Sequence, residues 1–159
     1  VSEISSADEG YLRNALEAAR EARARGDHPF GAVLVTADGR VIRALNSVVT
    51  QRDPTGHAES NLVRLAASEL TDEELRESTL YTSTEPCAMC AGAIYWARIP
   101  RIVFALSEQG LIEIVSAVSD EPVLDLPSRE VFARGGTVVD VAGPALEDEA
   151  AAVHSGFWT

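Results

Sequence analysis

Two short motifs constrain this chain more than any other feature: Pro86-Cys87-Ala88-Met89-Cys90 and, upstream, His57-Ala58-Glu59. The first holds both cysteines of the 159-residue chain. Each motif follows turn-forming residues, Pro54-Thr55-Gly56 in one case and Glu85-Pro86 in the other. Each also opens an apolar-patterned run that reads as a helix. Reactive side chains in first helical turns belong to an alternating α/β chain, in which ligands gather at one edge of the sheet.

Two thiolates three positions apart at a helix start can share one zinc ion, and an imidazole from a second element supplies a third ligand. That count leaves one tetrahedral position open, as a catalytic centre requires and a closed structural site does not. Glu59 then stands beside the open position as an acid/base. Alone, Cys-x-x-Cys at a helix start equally describes a thioredoxin-like redox dithiol, a structural zinc module, or two buried thiols. A lone His-x-Glu is usually ordinary helix surface. The joint occurrence favours His57, Cys87 and Cys90 around one zinc ion per chain.

The remaining elements follow from local signals. Ser6 and Glu9 read as a capping box. Leu12, Ala15, Leu16, Ala19 and Ala22 then recur at helical spacing, as a narrow face of small residues suited to packing on a sheet. Gly26 is placed for a left-handed stop. Residues 31–36 and 41–46 are β-rich and flank Ala37-Asp38-Gly39-Arg40, which predicts a hairpin. His28, in the loop before it, reads as solvated. Asn46 ends the second strand beside the loop that feeds His57; its ordinary fate is a turn residue bonding its own backbone.

A helix over 57–68 is followed by a capped turn at Thr71 with Glu74, and a strand over 79–83. The helix from Cys87 to Trp96 is apolar almost all round, which predicts that it is buried. A strand over 101–106 is apolar enough for the sheet interior. Ser107 caps a helix, 128–134 forms a short one stopped by Gly135-Gly136, 137–141 is the last strand, and 144–154 a final helix. This order predicts one domain over 1–159, a three-layer α/β/α sandwich around a mixed five-stranded sheet. The last two strands should be parallel neighbours.

Charge bounds the partners. Thirteen Lys and Arg stand against 25 Asp and Glu, a formal net charge of −12. Proteins that track phosphate backbones need clustered cations, so the balance weighs against a polynucleotide substrate. No apolar run is long enough to span a bilayer and no leader is evident at the start. Two cysteines in one motif leave no disulfide framework, which points to a reducing cytoplasm.

The motif pair resembles the cytidine-deaminase-like zinc hydrolase superfamily, and within it the bacterial guanine deaminase and nucleoside or nucleobase deaminase branch. The resemblance runs from Pro29-Phe30-Gly31-Ala32-Val33 through Asn46, Asp53 to Glu59, Leu80-Tyr81-Thr82-Ser83 and Glu85 to Arg98, ending at Val103-Phe104. It implies the cytidine deaminase-like fold and hydrolytic deamination of a small base or nucleoside with release of ammonia. Guanine is the first expectation, with cytosine, a modified purine or an aminotriazine behind it. It implies His57, Cys87 and Cys90 as metal ligands and Glu59 as the proton shuttle. Asn46 would bond the substrate, and the Ala58 and Cys87 amides would lie near the ring carbonyl or leaving group. Phe30 and Trp96 would form pocket walls. Relatives are commonly dimers, some with an exchanged C-terminal segment, which makes Phe157-Trp158 a candidate lid.

Two departures touch base recognition. Guanine deaminases of this branch carry an acidic residue in a Phe-Asp-Asp-like segment after the fourth strand; here that stretch is Val118-Ser119-Asp120-Glu121-Pro122, so Asp120 or Glu121 would read the base edge. The family's terminal tyrosine is replaced by Phe157-Trp158. A tRNA adenosine deaminase, which shares the Glu85 to Ala93 run, is the alternative, although Glu147-Asp148-Glu149 stands where basic residues would be needed.

Overall fold

The computed structural model describes residues 2–159. Its first helix, α1 (Ser6–Ala24), buries Leu12, Ala15, Leu16, Ala19 and Ala22 completely. The two leucines alone contribute roughly 2 kcal/mol each in area removed from water. Small residues on this face let the helix lie directly on β1 (Gly31–Val35). A Cβ at Gly31 would overlap Ala19 N, Ala15 O and Ala18 Cβ, so only glycine permits the approach. The capping box is shifted one residue from expectation: Ser5 and Asp8 form it, not Ser6 and Glu9. Tertiary contacts decide this, because the Asp8 carboxylate also accepts from Tyr81 Oη at 2.7 Å and from Arg101 Nη1 at 3.0 Å.

β1 and β2 (Val41–Leu45) form the expected hairpin, with Val35 opposite Val41 and Gly39 at φ +88° in the turn. The chain continues through α2 (Ala58–Glu69), α3 (Asp72–Arg76), β3 (Thr79–Thr84), α4 (Ala88–Trp96) and β4 (Arg101–Leu106). α5 (Glu108–Ser116), α6 (Ser128–Ala133), β5 (Asp140–Ala142) and α7 (Glu147–Val153) complete it. Thr71 with Glu74 caps α3 and Ser107 caps α5, as their sequences require.

The strands are ordered β2-β1-β3-β4-β5 in one mixed sheet. β1 is antiparallel to β2 and β3, whereas β3, β4 and β5 run parallel. Leu62 of α2, Ile94 of α4 and Phe132 of α6 pack with Leu34, Leu80 and Phe104 on one face. Leu12 and Leu16 of α1 and Val153 of α7 pack with Val33, Tyr81 and Val103 on the other. The result is the α/β/α sandwich that the element order predicts. Because β1 opposes β3, the start of β1, the end of β2 and the end of β3 all meet at one sheet edge.

Two boundaries and one burial pattern differ from expectation. The last strand starts at Asp140 rather than 137, because Thr137 and Val138 are exposed and the Gly136 amide donates to Tyr95 Oη at 2.9 Å instead of joining the sheet. The final helix starts at Glu147 rather than 144. Ala145 N donates to Ala105 O at 3.0 Å, which keeps the chain alongside β4, and Leu146 at φ +57° then turns it into α7. Lastly, α4 is not buried all round: Cys90, Ala91 and Ile94 face inward, while Met89 and Trp96 are exposed.

Candidate metal centre and active-site cavity

His57 is the N-cap of α2, and Cys87 the N-cap of α4, with Cys90 in that helix's first turn. The loop leading to His57 is held from two sides. Asn61 Nδ2 donates to Leu45 O and Ser47 Oγ, both at 2.9 Å, pinning α2 to the end of β2. The buried Asp27 carboxylate accepts from Val49 N, Thr50 N and Arg25 Nε, tying the His28 loop to the same segment. Neither residue carries a motif signal, since both act through contacts distant in sequence.

Loop and helix starts together place His57 Nδ1 at 3.5 Å from Cys87 Sγ. The imidazole nitrogen and both sulfurs lie within 4.8 Å of one another. A tetrahedral zinc ion, with bonds of about 2.1 Å to nitrogen and 2.3 Å to sulfur, holds such donors about 3.6 Å apart edge to edge. One imidazole and two thiols at this spacing therefore fit one zinc ion. One of the two thiols is already biased toward release of its proton: the hydrogen bond from Cys90, then that with His57, pulls Cys87 down to about 4. Cys90, deeper and sharing its proton with Cys87, is pushed up. Its sulfur also meets Ser60 Oγ at 3.2 Å, a donor for a metal-bound thiolate.

Glu59 is 5 % exposed, and Thr82 Oγ1 donates to its Oε1 at 2.7 Å. Burial holds the carboxyl above the usual carboxylate range. Glu85 lies at the end of β3 and is also buried, but its role is mechanical. Its Oε2 accepts from Glu108 N at 2.8 Å, and its Oε1 from Ser128 N at 3.0 Å and Ser128 Oγ at 2.7 Å. One carboxylate thus ties the starts of α5 and α6 to the strand that delivers Cys87.

His57 and Cys87 border a cavity of about 410 Å³, within the range of small-molecule sites. Phe30, Leu111, Ile112 and Trp158 form much of its wall. His28, expected to be solvated, is half-buried in that wall, with its ring 5.4 Å from Trp158. Glu121 borders both the cavity and an adjoining surface concavity, whereas Asp120 borders only the latter, with Thr159. Trp158 lines the cavity; Phe157 stands behind it at 4.8 Å between ring centroids, under the Arg23 guanidinium.

Trp96, expected as a wall, is 80 % exposed at the far end of α4, with its ring 5.2 Å from that of Tyr95. Position along the helix decides this: Met89, on the same exposed face two turns earlier and beside Cys87, borders the cavity instead. Asn46 is buried, but its Oδ1 accepts from His28 N at 3.3 Å and Val48 N at 3.1 Å, leaving the Nδ2 end for a ligand. The turn role and a ligand role are thus compatible in one side chain. Glu108, which no sequence signal marked, adds a buried carboxyl to the wall, raised to about 7 chiefly by burial.

The chain matches the model of the cytidine and deoxycytidylate deaminase zinc-binding region over residues 5–106. It is 42% identical to a probable cytosine deaminase of Schizosaccharomyces pombe over 156 residues, 98% of this chain and 95% of that protein. It is 45% identical to the guanine deaminase of Bacillus subtilis over 101 residues, 63% of this chain and 64% of the relative. A structure of guanine deaminase from Nitrosomonas europaea superposes with a TM-score of 0.76 at 27% identity, covering 95% of this chain and 84% of that one. The three-ligand geometry and these likenesses agree, and the chain belongs to the cytidine and deoxycytidylate deaminase zinc-binding family.

Proposed function

We propose that this enzyme hydrolytically deaminates a small free nucleobase, with cytosine as the first substrate and guanine as the second. The cavity wall carries the reading: the chain's own segment 155–159 places Trp158 against Phe30 and His28, over a space suited to one flat ring. The likeness to a probable cytosine deaminase over 98% of this chain moves cytosine ahead of guanine, which the sequence resemblance put first. Likeness to a tRNA-specific adenosine deaminase of Haemophilus influenzae, 46% identical over 105 residues, supports the polynucleotide alternative. Against that alternative stand the net charge of −12 and the acidic Glu121 at the cavity.

Zinc held by His57, Cys87 and Cys90 would supply the Lewis acidity that makes water a nucleophile near neutral pH. Two thiolates cancel the ion's formal charge, so a separate base is needed. Glu59 takes a proton from the attacking water and delivers it to a ring nitrogen. It then takes the remaining proton of the new C–OH group and passes it to the amine, which leaves as ammonia as the C–N bond breaks and the carbonyl forms. Asn46 Nδ2 donates to a ring acceptor, and the Ala58 and Cys87 amides, at helix starts, face the polar edge of the ring. Phe30 and Trp158, in contact with each other, form one aromatic wall against which a face of the ring packs, and Glu121 takes an N–H of its rim. A homodimer belongs to the same reading, supported by the apolar face of α4 that Met89 and Trp96 leave uncovered.

Ammonia release from cytosine, cytidine, guanine and an anticodon stem-loop by the zinc-loaded protein tests the reading. Turnover of cytosine above the others is expected. Response to the stem-loop alone would overturn it, as would a metal-free protein with a reversible Cys87–Cys90 disulfide.

A further inference from the structure

Along β3, Leu80, Thr82 and Thr84 share the face that packs against α2 and α4. Leu80 belongs to the apolar core there; two residues on, the strand buries a hydroxyl instead, and Thr82 is fully inaccessible. A buried hydroxyl without a partner costs about 1–3 kcal/mol, so its bonds show what the residue is for. Thr82 Oγ1 has two acceptors in reach: Glu59 Oε1 at 2.7 Å and Thr84 O at 2.8 Å. With one hydrogen and two lone pairs, the hydroxyl donates to an ionised Glu59, or donates to Thr84 O while accepting from a protonated Glu59, so it bonds the carboxyl in either state.

We infer that Thr82 is the positioning residue for Glu59, fixing Oε1 against the sheet so that Oε2 alone faces the reacting centre. The inference rests on the role proposed above for Glu59. Three features support it. Thr82 is the only side chain recorded within hydrogen-bond distance of the Glu59 carboxylate among the described residues. The contact joins two rigid elements, the middle strand of the sheet and the first turn of α2. Thr82 and Glu59 both lie behind the cavity wall, and Thr82, fully buried, would act on the reaction through its bond to Glu59. A carboxylate free to rotate at this position would lose alignment with water and ring nitrogen, and misplacement of about 1 Å costs on the order of 10²-fold.

Thr82→Val keeps the shape and removes the hydroxyl, while Thr82→Ser keeps the hydroxyl and removes a methyl. For the valine variant kcat on cytosine should fall about 10- to 100-fold, with KM and zinc content within about twofold of the parent. Serine should recover activity to within about threefold. A valine variant as active as the parent, or valine and serine equally impaired, would overturn the assignment. Crystallography of the valine variant gives a readout independent of turnover: Glu59 should leave its position or split between rotamers, and an unmoved Glu59 would refute the role. An inactive parent protein would count against the deaminase reading, whereas the Glu59 position would still decide the role of Thr82.

Discussion

Trp158 Nε1 donates to Nδ1 of His154 at 3.1 Å, with the two rings within 14° of parallel. This bond seats the indole in the cavity wall, and it requires a neutral imidazole with a bare Nδ1. Burial, and then the charge of Arg23, hold His154 down at about 4. The unfolded chain therefore takes up the proton first, near pH 6.5. Stability from this site is complete above about pH 6.5 and drains as pH falls toward 4, by at most about 3 kcal/mol. Denaturant unfolding at pH 7, 5.5 and 4.5 should show that loss in the parent and a flatter profile in His154→Gln, which keeps an acceptor and does not titrate. Equal slopes would reject the assignment.

Glu59→Gln preserves the side chain's volume and removes its basicity. Turnover should drop by about 10²- to 10⁴-fold while zinc stays bound, because His57, Cys87 and Cys90 are untouched. Steady-state kinetics alongside metal analysis checks both halves; loss of zinc in this variant would make the carboxylate a structural partner of the centre.

Ser60 Oγ, 3.2 Å from Cys90 Sγ, steadies the deeper of the two sulfurs. Removing an outer partner of this kind typically weakens metal affinity 10- to 100-fold. Ser60→Ala should therefore release zinc to a competing chelator at about tenfold lower chelator concentration. An unchanged competition curve would show that the hydroxyl contributes nothing to metal retention.

Asp8 tests the fold without touching the site. Its carboxylate accepts from Ser5 N, Tyr81 Oη and Arg101, and these bonds outweigh its burial to hold it well below the usual range. Asp8→Ala takes one of two carboxylates from the half-buried Arg101 and leaves the buried Tyr81 hydroxyl without its acceptor, which should cost about 1–3 kcal/mol of unfolding free energy. Activity per folded molecule should stay within about twofold. A variant as stable as the parent would mean that Arg101 and Asp140, 3.4 Å apart, already suffice.

The parts of this molecule written in neighbouring residues were legible before folding. Asp38-Gly39 makes a hairpin because glycine accepts positive φ, and Thr71 with Glu74 caps a helix because the partners stand three residues apart. The leucines and alanines of α1 mark their buried face by spacing alone, and the paired motifs identify the metal ligands because zinc chemistry admits few donor sets.

The cavity wall was a different matter. It draws on residues from 28 to 158, and which side chain faces it depends on how each element is rotated against the sheet. Packing brings the Met89 end of α4 to the cavity and leaves the Trp96 end away from it, lays Glu121 of the α5–α6 connection on the wall, and sets Thr82 beside Glu59. Spacing along a chain carries short-range chemistry, but the angle at which a helix meets a sheet is fixed only by the packing of everything else, and here that packing decides what the metal centre faces.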